Sequence, residues 1–189
     1  MQLSKITYYS DFVVYPIVIS GLAAACLIGA SWRAGSEWFG AAFAGLVFWS
    51  LMEYVLHRIA LHRMSLFVPM HGIHHSSPLA LVGTPPWVSV LVLSGAIGVP
   101  TWLCLGANIA GGATGGVMLG YWWYGLVHHI IHHHAHKPSR GYFGALRAWH
   151  MRHHYSPRSG NFGVTTALWD HIFGTAIGSP VRRKGAIPS

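Results

Sequence analysis

Carboxylates are nearly absent from this chain: Asp11, Glu37, Glu53 and Asp170 are the only four in 189 residues. That scarcity excludes a carboxylate-bridged dimetal site of the helix-bundle type, which needs several inward Glu residues and paired Glu-x-x-His motifs. Cysteine is scarcer still. Cys26 and Cys104 both fall inside apolar runs, where they read as small packing residues rather than a disulfide or a thiolate pair, and they define no redox compartment. Charged residues make up only 8% of the chain, against roughly a quarter in soluble domains, and the mean hydropathy is +0.42. A soluble globular domain is thereby excluded, and an integral membrane protein is indicated.

The apolar residues fall into four stretches of the length that a hydrocarbon core of about 20 helical residues requires. They cover approximately residues 12–31, 38–56, 87–107 and 113–131. The last two belong to one charge-free run, Leu66 to Ile131, divided by Asn108 and the glycine-rich segment Gly111 to Gly116. Lys5 ahead of an apolar run that passes through Ala23-Ala24-Ala25-Cys26 has some features of a signal peptide, but the run continues beyond Cys26 and further spans follow, so it is read as a true span. With four crossings, all lysines and arginines except Arg33 lie on one side, which the positive-inside tendency makes cytoplasmic. In so apolar a chain the net charge of +8 fits anionic lipid headgroups as partner, not nucleic acid.

What the chain has in excess is histidine, with fifteen residues. Ten form four clusters: His57 and His62; His71, His74 and His75; His128 and His132; His150, His153 and His154. Spacings of three and four place imidazoles on one helix face, where neutral rings can converge on a transition metal. A metal-sponge tract would concentrate its histidines in one run; these are dispersed over about a hundred residues and share one predicted membrane boundary. His57 and His62 are five apart, so a bend or helix end is expected between them. Ten rings exceed the four to six ligands that one first-row ion takes, which implies two metals. Glu53, one turn before His57, and Asp170 can each accept a hydrogen bond from the outer N–H of a ligand ring; the other reading for each is a buried structural bond or ion pair.

The segments Glu53 to His62, His71-Gly72-Ile73-His74-His75, His128-His129-Ile130-Ile131-His132-His133, His150-Met151-Arg152-His153-His154 and Gly163 to Asp170 together resemble the fatty acid hydroxylase superfamily. The nearest likeness is to fatty acid 2-hydroxylases, over roughly Glu53 to Phe173, with the Pro85-Pro86 pair shared. The resemblance implies a membrane-embedded, non-haem di-iron monooxygenase that inserts one atom of O2 into a C–H bond of a lipid acyl chain. Under it, the ten clustered histidines become the ligands of two iron ions, which zinc can replace in purified protein. His133 matches a family position and would be an eleventh ring; His129, His134, His136 and His171 have no required role.

The expected architecture is all-α. A single membrane domain, 1–189, has four transmembrane helices and a cytoplasmic helical cap, residues 57–86 and 132–173, that encloses the metals; residues 174–189 form a mobile tail. The membrane is a bacterial inner membrane, or the endoplasmic reticulum in a eukaryote. Only about ten residues precede the first span, so the two electrons are expected from a separate ferredoxin or cytochrome b5-like carrier docked near Arg140, Arg147, Arg152 and Arg158. Tyr121, Trp122, Trp123 and Tyr124, with Trp87 and Trp102, serve as an interfacial belt or contact the substrate. Glycines 111, 112, 115, 116, 120 and 125 favour close helix packing or leave a groove for an acyl tail. Desaturation, sterol or carotenoid oxidation and headgroup hydroxylation use the same motifs. A metal transporter or sensor is disfavoured because it places its ligands at mid-membrane.

Overall fold

The computed structural model describes residues 2–134 and 141–178; these are helical apart from loops, with an isolated bridge between Gln2 and Val82 as their one β pairing. Helix α1, Lys5–Leu27, starts at Ser4, whose hydroxyl accepts the N–H of Thr7 at 3.1 Å. Ser31 starts α2, Trp32–Val55, in the same way by accepting the N–H of Ala34. Beyond Val55 the helix does not stop but widens into a π turn, Leu56–Leu61. Then follow α3, Val68–Ser76; α4, Pro86–Leu93; a second π stretch, Ser94–Gly98; α5, Val99–Leu105; α6, Ala107–His133; α7, Gly141–Tyr155; and α8, Leu168–Ile172. Prolines open α3, α4 and α5, where a missing N–H removes no helical bond.

Three stretches are long and apolar enough to cross a membrane: Lys5–Leu27, Trp32–Leu61 and Pro86–Leu105. Their outer faces stay apolar and exposed, with Val13, Ile17, Phe39, Phe43, Leu91, Val92 and Leu103 among the bare side chains. Helix α6 is different. At 27 residues it has the length, but glycine and histidine dilute its hydropathy, and it packs against α1, α2, α4 and α5.

The glycine-rich segment does not divide the third and fourth spans, as the sequence suggested. The turn falls earlier, at Gly106, whose φ of +86° is open to glycine without strain. The glycines lie inside α6 and form a groove for α2. A Cβ at Gly112 would strike the Trp38 carbonyl oxygen, one at Gly116 that of Ala42, and one at Gly120 the Trp49 ring; from the other side, Gly45 meets the Ala113 carbonyl. Close packing is therefore the role of these positions, whereas the space beside Gly125 is open.

The membrane-boundary end of α6 carries the rest of the molecule. Val127 and Ile131 of α6 bury themselves with Leu146 of α7 and Val164 of the following loop, flanked by Trp123, Tyr124, Phe143 and Met151. The tail expected from residue 174 begins later than the sequence indicated. Thr175 and Ile177 are tied down, the Asn161 N–H donating to the Thr175 carbonyl and the Ile177 N–H to Asn161 Oδ1. Residues 179–189, His136, Lys137 and Arg140 lie outside the described residues.

Gly116→Ala is expected to force α2 and α6 apart and lower stability by roughly 1–3 kcal/mol. Gly21→Ala, on an exposed face of α1 with open space around it, is expected to leave the melting temperature unchanged or slightly higher. Thermal unfolding of both variants in detergent checks the pair; an unshifted Gly116→Ala would contradict the glycine-groove packing.

Candidate metal centre

The π turn resolves the five-residue spacing that the sequence left awkward. No bend or helix end separates His57 from His62. In a π turn, hydrogen bonds run from residue i to i+5, so residues five apart come into line. The two rings stack at 5.3 Å, inclined by 27°. The other clusters divide by the same logic of alignment: in each His-x-x-His-His motif, the two histidines four apart go to one set and the middle histidine to the other.

The described residues form two five-ring sets, His57, His62, His71, His75 and His153, and His74, His128, His132, His150 and His154. Within each set one nitrogen per ring lies within 4.8 Å of all the others. In the first set the Nε2 atoms of His71, His62, His153 and His75 form a closed quadrilateral with sides of 3.0, 3.1, 3.1 and 3.0 Å. His57 Nε2 stands 3.1 Å from His71 Nε2. In the second set, His74 to His128 and His132 to His150 are 3.0 Å apart, and His150 to His154 is 3.1 Å.

Hydrogen bonding among the rings does not account for this packing. His71 Nε2 has three Nε2 neighbours at 3.0–3.1 Å, yet a ring nitrogen carries at most one proton. A shared cation does account for it. Four corners of a square with these sides lie about 2.1–2.2 Å from its centre, close to the metal–imidazole bond length of about 2.0–2.1 Å. The donor set, five neutral nitrogens and no carboxylate, suits a first-row transition ion and leaves room for an exogenous ligand.

Two backbone carbonyls aim the first set. His57 Nδ1–H donates to the Phe162 carbonyl and His153 Nδ1–H to that of Gly160, the latter at 2.8 Å. Each bond fixes the ring's proton on Nδ1 and turns the Nε2 lone pair toward the cluster. The 160–166 loop that supplies these carbonyls is held by the two buried acids. Glu53 Oε1 accepts the N–H groups of Val164 and Thr165 at 2.7 and 2.8 Å, and Oε2 accepts the Thr165 hydroxyl at 2.6 Å. Asp170 accepts the N–H groups of Phe162 and Gly163 at 2.8 Å each, the Thr175 hydroxyl at 2.7 Å and the Trp149 indole N–H at 3.3 Å. Neither acid bonds to a ring among the described residues. Of the two readings open to them, the bond to a ligand ring is corrected and the buried structural bond is observed: they act one layer further out, on the loop.

Some participants had little sequence signal. Asn161 sits at φ +56°, a left-handed conformation that Asn tolerates, and its side-chain N–H reaches the Trp149 carbonyl at 3.3 Å. Its place between Gly160 and Gly163 was the available clue, since a Cβ on either glycine would strike the Thr175 or Thr166 carbonyl. Gly160 and Phe162 contribute only backbone oxygens, which no residue-type pattern marks. His133 belongs to neither set; it stacks on His129 at 4.5 Å. His129 Nδ1 pairs with the Tyr8 hydroxyl at 3.1 Å, and His171 lies against Trp149.

Burial and crowding keep the rings neutral. Desolvation first, and the neighbouring imidazoles second, hold His62 down at about 4 and His74 at about 3; His153, held down chiefly by desolvation, is also at about 3, and His71 and His150 lie well below the usual range. Protonation that competes with a metal is therefore displaced from the window near 6.5 that free imidazole suggests to about pH 4 and lower in the folded protein.

A cavity of about 510 Å³ borders both sets, reaching His57 and His71 of the first and His74 and His128 of the second. From there it runs between α1, α4 and α6 along Phe12, Val88, Val92 and Leu93. Tyr121, Trp122, Tyr124 and Gly125 line it, whereas Trp123 packs on Phe143 beside the α7 core and Trp87 and Trp102 are exposed.

Apolar helices that meet a paired five-imidazole site define a helical membrane protein built around a polyhistidine centre. The chain belongs to the fatty acid hydroxylase family, whose model matches residues 42–175. It is 33% identical over 122 residues to the dihydroceramide fatty acyl 2-hydroxylase FAH2 of Arabidopsis thaliana, a match covering 61% of this chain and 48% of that protein. It is 35% identical over 109 residues to the fatty acid 2-hydroxylase of Homo sapiens, covering 56% of this chain and 28% of the relative. The chain thus spans about half the length, or less, of these curated relatives. Its fold superposes on the solved structure of full-length scs7p, in which only the hydroxylase domain is visible, with a TM-score of 0.74 and 25% identity, over 91% of this chain and 67% of that one.

Two measurements test this site. Asp170→Ala leaves two buried N–H groups and a hydroxyl without acceptors, each costing about 1–3 kcal/mol, so a loss of about 3 kcal/mol or more is expected in thermal unfolding; a shift under about 1 kcal/mol would show that the loop does not depend on it. The ring pKa values are depressed in the folded state, so the unfolded chain takes up protons first. Stability is complete above about pH 6.5 and is lost as pH falls toward 4. A melting temperature that stays flat from pH 7 to 5 would mean the rings are solvated.

Proposed function

We propose that this protein is a membrane-bound di-iron hydroxylase of lipid acyl chains, with the ten clustered histidines as the ligands of two iron ions and His133 outside the ligand set. The observation that carries the reading is the closed Nε2 quadrilateral of His71, His62, His153 and His75 beside a mostly apolar cavity. The family and the printed names of the relatives, which act on fatty acyl chains at position 2, supply the substrate class. Iron in the two sets would supply the activation of O2, in the balance RH + O2 + 2 e⁻ + 2 H⁺ → ROH + H2O.

The chain's own residues do the rest. The Phe162 and Gly160 carbonyls hold the rings of His57 and His153 in their coordinating tautomer before any metal arrives. The cavity takes the acyl chain along Phe12, Val88, Val92 and Leu93, and Tyr121, Trp122 and Tyr124 close it against water. In this reading α6 is the fourth crossing, shielded from lipid by its neighbours, and the cap formed by α3, α7 and the 160–166 loop faces the cytoplasm. The basic residues Arg147, Arg152 and Arg158 face an acidic electron carrier of the ferredoxin or cytochrome b5-like kind there.

Mass spectrometry of lipid extracts from cells with and without the protein, joined to metal analysis of purified material, tests the proposal. A gain of one oxygen on an acyl chain, with close to two irons per chain, is expected; a loss of two hydrogens would make the enzyme a desaturase. His74→Ala and His153→Ala, one from each set, are expected to abolish turnover and lower the metal content by at least one ion while insertion is retained. An active variant of either kind would overturn the ligand assignment.

A further inference from the structure

Beyond the metal sets, the cavity holds one carboxylate that the mechanism does not use. Asp11, on α1, lines the cavity, and its Oδ1 is buried with no hydrogen-bond partner among the described residues. The neighbouring hydroxyls are already engaged: Tyr8 pairs with His129 Nδ1, and Tyr15 donates to Ser89 Oγ at 2.8 Å. A buried acceptor left open is uncommon and calls for an account.

The register of α1 against α6 says where this oxygen stands. The helices run antiparallel, with Tyr8 bonded to His129 at one level and Tyr15 against Tyr121 at 4.8 Å at another. Asp11, between these levels, falls opposite Gly125, the one α6 glycine of the membrane-boundary half with open space beside it, which also lines the cavity. His128, of the second ring set, is three residues on, so the Asp11 level lies about 5 Å along α6 from a metal-facing ring. On the same side of α6, Trp122 also lines the cavity and has a buried indole N–H without a partner. An acceptor and a donor therefore wait within one turn of each other at the head of an apolar channel.

We infer that Asp11 is a specificity-determining residue that accepts a hydrogen bond from the N–H of an amide-linked acyl chain, with the gap at Gly125 admitting the amide and Trp122 serving its carbonyl. An amide offers one donor and one acceptor, which this pair complements. A free fatty acid offers acceptors alone and brings a negative charge against the carboxylate. The carbon next to an amide carbonyl is two bonds from the nitrogen, so holding the N–H at Asp11 presents the start of the acyl chain to the ring sets. This rests on the hydroxylase reading and adds the residue that chooses between linked and free acyl chains.

The test uses the full chain in detergent or bilayer, N-hexadecanoyl sphinganine and hexadecanoic acid as probes, and two readouts: binding by quenching of tryptophan fluorescence, and turnover by mass spectrometry. Asp11→Asn keeps the size and lends a donor, and is expected to shift the amide-to-acid preference by roughly tenfold toward the acid, through KM and binding rather than kcat, as for the loss of one charge-assisted hydrogen bond. Asp11→Glu restores the carboxylate and is expected to keep the amide preference. A preference that stays within about twofold in Asp11→Asn, or both substrates weakened equally, overturns the assignment. Should the protein bind the amide in preference, lose that preference on Asp11→Asn and yet hydroxylate neither probe, the hydroxylase reading fails while the role of Asp11 in binding stands.

Discussion

The structure depends on a short run of backbone N–H groups, residues 162 to 165, being captured by two buried carboxylates. Asp170 takes the first pair and Glu53 the second. With the N–H groups fixed, the carbonyls of Gly160 and Phe162 point the other way, at His153 and His57. A chain with almost no acidic residues thus places two of its four where a single loop sets the direction of two coordinating rings. This division of labour also explains how a polyhistidine centre exists without a carboxylate ligand: the negative groups are kept one layer back, where they order peptide groups instead of neutralising a cation.

Much of this was legible in residue types. The four histidine clusters, the apolar runs and the likeness to the hydroxylase family all follow from residues that advertise their chemistry. What the sequence hid was conformational. A spacing of five between His57 and His62 signals a helix end under α-helical periodicity, and only the widened turn makes it a matched pair. Gly111 to Gly116 has the composition of a loop, and tertiary packing against Trp38 and Ala42 overrides that local signal. Glu53 was correctly placed near His57 in sequence, but its actual partners are more than a hundred residues away in the chain. Backbone oxygens such as that of Phe162 leave no trace in a sequence at all.

The separation of the rings into two sets follows from helical phase. On α3 and α7 alike, one turn carries two rings to one side, and the intervening histidine, displaced by about 100°, turns to the other. Each of these helices therefore contributes to both sets, and the two centres cannot be assembled independently. Anything that moves α7 relative to α3 disturbs both at once, which makes the packing of Leu146 onto Val127 and Ile131 part of the site as much as of the core.

The widened turn at Leu56–Leu61 has a genetic consequence. It amounts to one additional residue within an otherwise continuous helix, so deleting any single codon between those of His57 and His62 would return the segment to ordinary winding. All that follows would then be rotated by about 100° and drawn back by about 1.5 Å. In this lineage, point substitution is the permissible route of change across that interval, and shortening is closed.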